Sequence, residues 1–188
     1  KVGDIASSKI VDALAALSAS TSLGDCVDVI EDCLLEVNQL MLEYAQIMFD
    51  GSTMGSTVVV MVIKGRVGAC LWVGDSRLYR LRNQQLVQLS RDHSQLEEMI
   101  ELGLITREGS DNHPNRNVIT RAVGVETPLY VDVSLFTTQV GDSFLLCSDG
   151  LYNAVSHDDI VESMKLRDVQ QSTDELIEKA LEQGARDN

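Results

Sequence analysis

Two stretches near the start of the chain carry apolar residues at helical spacing, and they predict a pair of amphipathic helices. The first runs from about residue 3 to residue 19, and the second from about Asp25 to Met48. The stripe of the second helix is regular enough for a coiled coil, which leaves open a purely structural domain that dimerises through this helix. Because Leu35 and Leu40 widen its apolar face beyond a narrow seam, we expect it to pack on a sheet instead.

Short apolar segments then follow one another closely and predict four strands. No helical pattern separates them, and the intervening Lys64-Gly65 and Asn83-Gln84-Gln85 are short enough for hairpins. We therefore predict an antiparallel meander, and this excludes a parallel Rossmann-type sheet in this half of the chain. The predicted strands are Thr57–Ile63, Arg66–Val73, Leu78–Arg82 and Leu86–Leu89.

The second half opens with a helix and a polar segment, together residues 92–120. Ser94 with Glu97 forms a capping box for the helix, and Gly103 ends it. The stretch from Thr106 to Val118 is polar and aperiodic, and we interpret it as a mobile flap.

Two strands and two helices are predicted after the flap. An alternating strand covers Tyr130–Phe136, and the apolar run Ser143–Cys147 is typical of a buried strand. The helices are predicted to start at Ser156 and Ser172, and the last to end at Gly184. Strands and helices are thus segregated along the chain, which predicts the α+β class.

Length and charge narrow the possible functions. A chain of 188 residues fits a single domain with a sizeable core. Its formal net charge of -14 argues against nucleic acid and anionic membrane surfaces as partners. No apolar run approaches the roughly 18 residues of a membrane span. The four cysteines form no Cys-x-x-Cys pair, so we expect free thiols and a cytoplasmic location.

Acidic residues stand at three corners of the predicted fold. Asp75 follows the strand that ends at Val73, Asp149 follows the strand that ends at Cys147, and Asp187 lies in the final Gly184–Asn188 corner. Carboxylates at strand ends can converge on a hard metal ion such as Mg²⁺ or Mn²⁺. Each motif alone is also a good turn sequence, and for any single one turn chemistry is the stronger interpretation.

The series of motifs resembles a known family. Met54-Gly55-Ser56-Thr57 resembles the Met-Gly-Thr-Thr strand start of the metal-dependent serine/threonine protein phosphatases of type 2C, the PPM family, in its compact bacterial form. The resemblance covers nearly the whole chain and implies two stacked antiparallel sheets flanked by helix pairs. The other motifs, in chain order, are Gly74-Asp75-Ser76-Arg77, Asp92-His93-Ser94, Asn117 to Gly124, Ser148-Asp149-Gly150-Leu151 and Gly184-Ala185-Arg186-Asp187-Asn188.

The resemblance also implies an activity, its cofactors and its partners. It implies hydrolysis of phosphoserine and phosphothreonine on proteins by a metal-bound water, with two central Mn²⁺ or Mg²⁺ ions. Asp149 and Asp187 match positions that hold a central ion, and Asp75 matches a position for a third, more weakly held one. The expected partners are phosphorylated proteins, such as a bacterial serine/threonine kinase or its scaffold substrate. The alternative is a phosphatase-like module that binds a partner without catalysis.

Two family segments have no counterpart in this sequence. These are Arg-x-x-Asn-Glu-Asp, the source of a phosphate-binding arginine, and Asp-Gly-Met-Gly-Gly-His, the source of a bridging aspartate and a proton-donor histidine. Because Val2–Ser7 resembles the family sequence directly after the second segment, we expect these residues and the outer strands to lie outside this chain. We also expect the chain by itself to be weakly active or inactive.

None of the three histidines belongs to a credible Ser-His-Asp triad, since Gly-x-Ser-x-Gly is absent. His93 precedes a capped helix and is predicted to have a local structural role, and His157 is predicted to be a solvated first-turn residue. His113 and Arg116 lie in the predicted flap, where they are candidates for contact with the substrate, although a structural loop role is as good an interpretation.

Overall fold

The computed structural model describes residues 2–18, 20–48, 53–107, 113, 115, 117–166 and 168–185. Its helices are α1 (Val2–Ala15), α2 (Leu23–Met48), α3 (Gln95–Glu101), α4 (Asp149–Tyr152), α5 (His157–Met164) and α6 (Val169–Glu182). Its strands are β1 (Val58–Lys64), β2 (Val67–Val73), β3 (Arg77–Arg82), β4 (Gln85–Gln88), β5 (Asp132–Thr137) and β6 (Ser143–Cys147). None of the helices in this described part of the chain has the length and apolar character needed to cross a membrane.

The strands form two antiparallel three-stranded sheets. The first has the order β1-β2-β5 and the second the order β4-β3-β6. The two predicted hairpins form, with Val60 opposite Leu71 and Arg80 opposite Val87. The predicted continuous meander is wrong, because β2 and β3 belong to different sheets. The chain crosses between them at Gly74, whose φ of +105° turns the backbone out of the first sheet.

Strand β2 explains why two sheets stack. Every residue from Gly68 to Val73 is buried, so both faces of this strand are covered. Ala69, Leu71 and Val73 point to the helices α1 and α2, while Cys70 and Trp72 point to the second sheet. A strand that is apolar on both faces needs a layer on each side, and the layers are therefore helices, sheet, sheet and helices.

Three apolar clusters fill the spaces between these layers. The first lies between α1, α2 and the first sheet, and includes Leu34 and Met41. The second lies between the sheets, where Phe136 and Phe144 have ring centroids 5.5 Å apart. The third lies between the second sheet and α4–α6, around Leu176. This arrangement confirms the predicted α+β class and the stacked sheets with flanking helices.

Side-chain caps decide where several helices begin. Ser94 and Ser156 accept hydrogen bonds from backbone N–H groups three residues on, as predicted. Helix α6 starts earlier than Ser172, because the Asp168 side chain accepts from the N–H groups of Gln170 and Gln171. Ser172 therefore lies one turn inside the helix, and the predicted start was wrong.

Gly124 joins helix α2 to the loop that follows the flap. Its N–H donates to Oδ1 of buried Asn38 at 2.6 Å, and its φ is +87°. A Cβ atom here would collide with the Met54 carbonyl oxygen and the Met41 side chain. Gly141 has a similar φ of +91° but open space where its Cβ would stand.

We expect Gly124→Ala to destabilise the protein by about 1–3 kcal/mol more than Gly141→Ala. The unfavourable φ alone costs each variant about 1–2 kcal/mol, and only Gly124→Ala adds a steric overlap with backbone. Urea unfolding of the two variants and the parent measures the difference. Equal losses in the two variants would show that the Gly124 contacts relax freely.

Candidate active site

Two of the predicted carboxylates come together where strands of different sheets end. Asp75 follows β2 and Gly74 at the crossover, and Asp149 is the first residue of α4, separated from β6 by Ser148 alone. Burial raises the pKa of Asp75, and the nearby negative charge of Asp149 raises it further. The register of β3 with β6, with Arg77 opposite Cys147, brings the two junctions to the same edge.

Local structure differs between the two junctions. At Gly74 a Cβ atom would collide with Thr57, so glycine is required there for packing as well as for its φ. Gly150, by contrast, is helical within α4 and makes no sharp turn. Strand β6 was predicted to be buried, but it pairs only with β3 among the described strands, and Leu146 is 42% exposed.

A tyrosine that the sequence analysis missed contacts Asp75. The Tyr152 hydroxyl lies 3.1 Å from the Asp75 carbonyl oxygen and 3.2 Å from its Oδ2. Burial raises the pKa of Tyr152, and the charge of Asp75 adds to the shift, so the phenol keeps its proton and donates. Its only sequence signal is its place one turn after Asp149.

Arg77 packs against the other side of this tyrosine. Its guanidinium carbon lies 3.5 Å from the centroid of the Tyr152 ring, a cation–π geometry. The same guanidinium forks onto Asp92, with Nε at 3.0 Å from Oδ1 and Nη2 at 2.6 Å from Oδ2. Burial alone would lower the pKa of Arg77, but the hydrogen bonds and charge of Asp92 outweigh it and raise the pKa.

His93 hydrogen-bonds to the backbone at the crossover, which bears out its predicted structural role. Its Nδ1 accepts a hydrogen bond from the Gly74 N–H at 3.0 Å, and its Nε2 lies 3.3 Å from Oδ2 of Asp132. The ring stacks on Trp72 and is only 8% exposed. Burial lowers the pKa of His93, and the neutral ring keeps Nδ1 as an acceptor.

The other predicted residues lie in helix α5, in the predicted flap and at the end of the chain. His157 is exposed in the first turn of α5, as expected. His113 is half-buried, and its Nδ1 accepts from the Asn115 N–H at 3.2 Å. Arg116 and Asp187 lie outside the described residues, as does much of the predicted flap.

A polar cleft opens beside Tyr152. It has a volume of about 380 Å³ and lies between the second sheet, α3 and α4. Arg107 is 68% exposed on this cleft and donates to Glu97 at 2.7 Å. Tyr152 lines the cleft and also contacts Asp75, so one side chain links the cleft to the carboxylates.

The donor set around Asp75 and Asp149 fits a divalent cation only in part. The negative charges of these two carboxylates repel each other, and a cation bound by both would relieve that repulsion. Oxygen donors suit Mg²⁺ and Mn²⁺. Within the part of the chain that the structure describes, however, no group of three or more His, Cys, Asp or Glu residues could hold a metal.

Comparisons with known proteins agree with this geometry. The family model for protein phosphatase 2C matches residues 3–186. The serine/threonine phosphatase stp of Listeria monocytogenes is 36% identical over all of this chain and 77% of its own length. The structure of the Mycobacterium tuberculosis phosphatase PstP has a TM-score of 0.91 at 32% identity, covering 100% of this chain and 79% of that one. A structure of the PstP catalytic domain in complex with two manganese ions has a TM-score of 0.82 at 28% identity, covering 98% and 77%.

The chain therefore belongs to the protein phosphatase 2C family, which confirms the family resemblance of its motifs. It is a metal-dependent serine/threonine protein phosphatase, and it acts on phosphorylated proteins. The comparisons support this activity over the alternative of a non-catalytic binding module.

The lowered pKa of His93 leads to a pH-dependent stability. Because its folded pKa lies below the unfolded value of about 6.5, the unfolded chain binds the additional proton. The contribution of this group is complete above about pH 6.5 and is lost as the pH falls from there through the folded pKa. We expect the free energy of unfolding to decrease over that range.

His93→Asn keeps an acceptor for the Gly74 N–H and removes the titration. Urea unfolding with a chelator present, at pH 7.5 and 5.5, should show a smaller difference between the two pH values in this variant than in the parent. Exposed His157→Asn is the control for loss of a histidine. An unchanged difference in His93→Asn would show that His93 has no part in the pH dependence.

Proposed function

We propose that this chain removes phosphate from phosphoserine and phosphothreonine with the help of Mn²⁺ or Mg²⁺ held by Asp149, Asp187 and Asp75. The observation that carries the assignment is the approach of Asp75 and Asp149 from two different sheets. That approach costs free energy unless a cation is shared, since burial and the charge of Asp149 both raise the pKa of Asp75. Folded proteins retain such an arrangement at functional sites.

Asp149 and Asp187 are assigned to a central ion, and Asp75 to a third, weaker one. For Asp187 the supporting observation is the anchoring of the residues before it. The Ala185 N–H donates to the Ala180 carbonyl, and Ala185 packs on the cluster that contains Leu151 of α4. Ala185 and the helix that Asp149 begins thus pack on the same apolar cluster.

The substrate explains why cations are needed here. A phosphorylated protein brings negative charge to a chain with a formal net charge of -14. Divalent ions, when bound, screen the phosphate oxygens and activate water. The two manganese ions in the PstP complex support Mn²⁺ as the ion and two as the central number.

The chain's own residues orient the substrate. His113 and Arg116 are proposed to contact it from the flap, within a helix and flap subregion of residues 92–120 that belongs to one phosphatase domain of residues 1–188. Asn115 Nδ2 donates to Gln95 Oε1 at 3.0 Å, which ties this segment to α3 at the edge of the cleft. The cleft would then receive residues that flank the phosphorylated side chain.

We propose that the substrate is a phosphorylated bacterial serine/threonine kinase or its scaffold protein, and that the reaction takes place in the cytoplasm. All four cysteines are free thiols, which supports a reducing compartment. Burial raises the pKa of Cys70 and Cys147 to about 12, so neither is a thiolate nucleophile at neutral pH. The chemistry therefore rests on the carboxylates.

In the full-length protein, we expect Asp149→Asn to lower Mn²⁺-dependent turnover of a phosphothreonine peptide by about 100-fold or more, with weaker Mn²⁺ binding in calorimetry. The fold should persist, because the variant relieves repulsion with Asp75. Asp158→Asn, at a fully exposed position of α5, is the matched control. Ordinary Mn²⁺-dependent turnover by Asp149→Asn would refute the assignment.

We expect Asp75→Ala to behave differently. The central ions remain in place, so turnover should fall mainly at low Mn²⁺ concentration, while circular dichroism and melting temperature stay close to the parent. A variant that loses its fold would instead assign Asp75 to the backbone turn after Val73.

A further inference from the structure

We infer that Tyr152 is a positioning residue for Asp75, and that Arg77 and Asp92 hold this tyrosine in place. The inference rests on the proposed function, since it assumes that Asp75 binds a cation. By holding Oδ2 of Asp75, the Tyr152 hydroxyl leaves the other carboxylate oxygen to face the ion. The structure thereby connects the polar cleft to the candidate metal site through one side chain.

The Tyr152 hydroxyl contacts two oxygen atoms of Asp75. A phenol has one proton to donate, and here it lies 3.1 Å from the backbone oxygen and 3.2 Å from Oδ2 of the same residue. A hydroxyl placed between both atoms fixes the rotation of the carboxylate relative to the backbone. A free carboxylate would lose that rotation on binding an ion, at a cost in affinity.

Tyr152 is itself held in place by residues from other segments of the chain. Helix α4 has only four residues and provides little stiffness of its own. The ring is held from β3 by the Arg77 guanidinium at 3.5 Å. Arg77 cannot turn away, because Asp92 accepts three hydrogen bonds from it, and Gln88 donates to Asp92 at 2.8 Å. Three positions outside α4, namely Arg77, Gln88 and Asp92, thus hold this side chain in place.

A second buried tyrosine, Tyr79, allows positioning to be distinguished from simple packing. Tyr79 is also buried on β3, and its hydroxyl accepts from Arg77 Nη1 at 2.8 Å. The structure shows no hydrogen bond from Tyr79 to Asp75 among the described residues. Removal of the Tyr79 hydroxyl costs a hydrogen bond to Arg77, and removal of the Tyr152 hydroxyl costs one to Asp75. Only the second change leaves the Asp75 carboxylate free to rotate.

The test compares Tyr152→Phe with Tyr79→Phe in the full-length protein. Mn²⁺ binding is measured by calorimetry, and turnover of a phosphothreonine peptide is measured as a function of Mn²⁺ concentration. For Tyr152→Phe we expect the half-saturating Mn²⁺ concentration to rise about 10-fold, as for other residues that orient metal ligands. Turnover at saturating Mn²⁺ and the melting temperature in chelator should stay near the parent values, and Tyr79→Phe should match the parent in Mn²⁺ dependence.

The double variant with Asp75→Ala gives the decisive comparison. If Tyr152 acts through Asp75, Tyr152→Phe adds no further shift in Mn²⁺ dependence once Asp75 is alanine. An equal shift in both backgrounds would overturn the inference. The inference would also fail if Asp75→Ala needs more Mn²⁺ than the parent while Tyr152→Phe shows the Mn²⁺ dependence of the parent. If Asp75→Ala itself binds and uses Mn²⁺ like the parent, the metal role of Asp75 in the proposed function fails instead.

A second variant covers the case in which Tyr152→Phe does not fold. Arg77→Lys keeps the hydroxyl and a positive charge but loses the fork onto Asp92. It should raise the half-saturating Mn²⁺ concentration by a smaller factor than Tyr152→Phe, about 3-fold, by the same physical argument. Parent-like Mn²⁺ binding by a folded Arg77→Lys would contradict the support that we assign to Arg77.

Discussion

The burial of strand β2 on both of its faces is the constraint on which the rest of the structure depends. Alternate side chains of one strand enter two cores, with Leu71 against the helices and Trp72 against the second sheet. A strand in this position cannot continue into a flat hairpin with β3, because β3 must lie in the next layer. The crossover at Gly74 follows from this, and so does the position of Asp75 at the end of the first sheet.

Polar contacts then hold the crossover where apolar packing ends. The Gly74 N–H is satisfied by His93, and Arg121 donates to Asp132 at 2.8 Å beside the same histidine. These groups satisfy buried donors and acceptors that would otherwise be costly. The result is a hydrogen-bonded junction at which two carboxylates are brought together against their mutual repulsion. Such a loss of stability is common where a fold carries a function, and in our proposal a bound cation offsets it.

Comparison of pattern and structure shows where sequence reasoning reached its limit. Capping at Ser94 and Ser156 was readable because the cap and its partner lie within three residues. The start of α6 was not, since Asp168 and Ser172 both precede a helical pattern and only the structure shows which side chain reaches the backbone. The meander failed for a similar reason, because turn length alone does not tell whether two strands share a sheet.

The sequence by itself determined the described strands, the described helices except the short α4, the α+β class and the family, because these depend on local spacing and on the order of short motifs. It also singled out Asp75 and Asp149. Only the tertiary structure decided that these two residues meet, since 74 positions separate them along the chain and the register of β3 with β6 brings them together. The contacts of Tyr152 were likewise decided there, because its hydroxyl meets Asp75 and its ring meets Arg77, which come from another part of the chain, and no local pattern records such contacts.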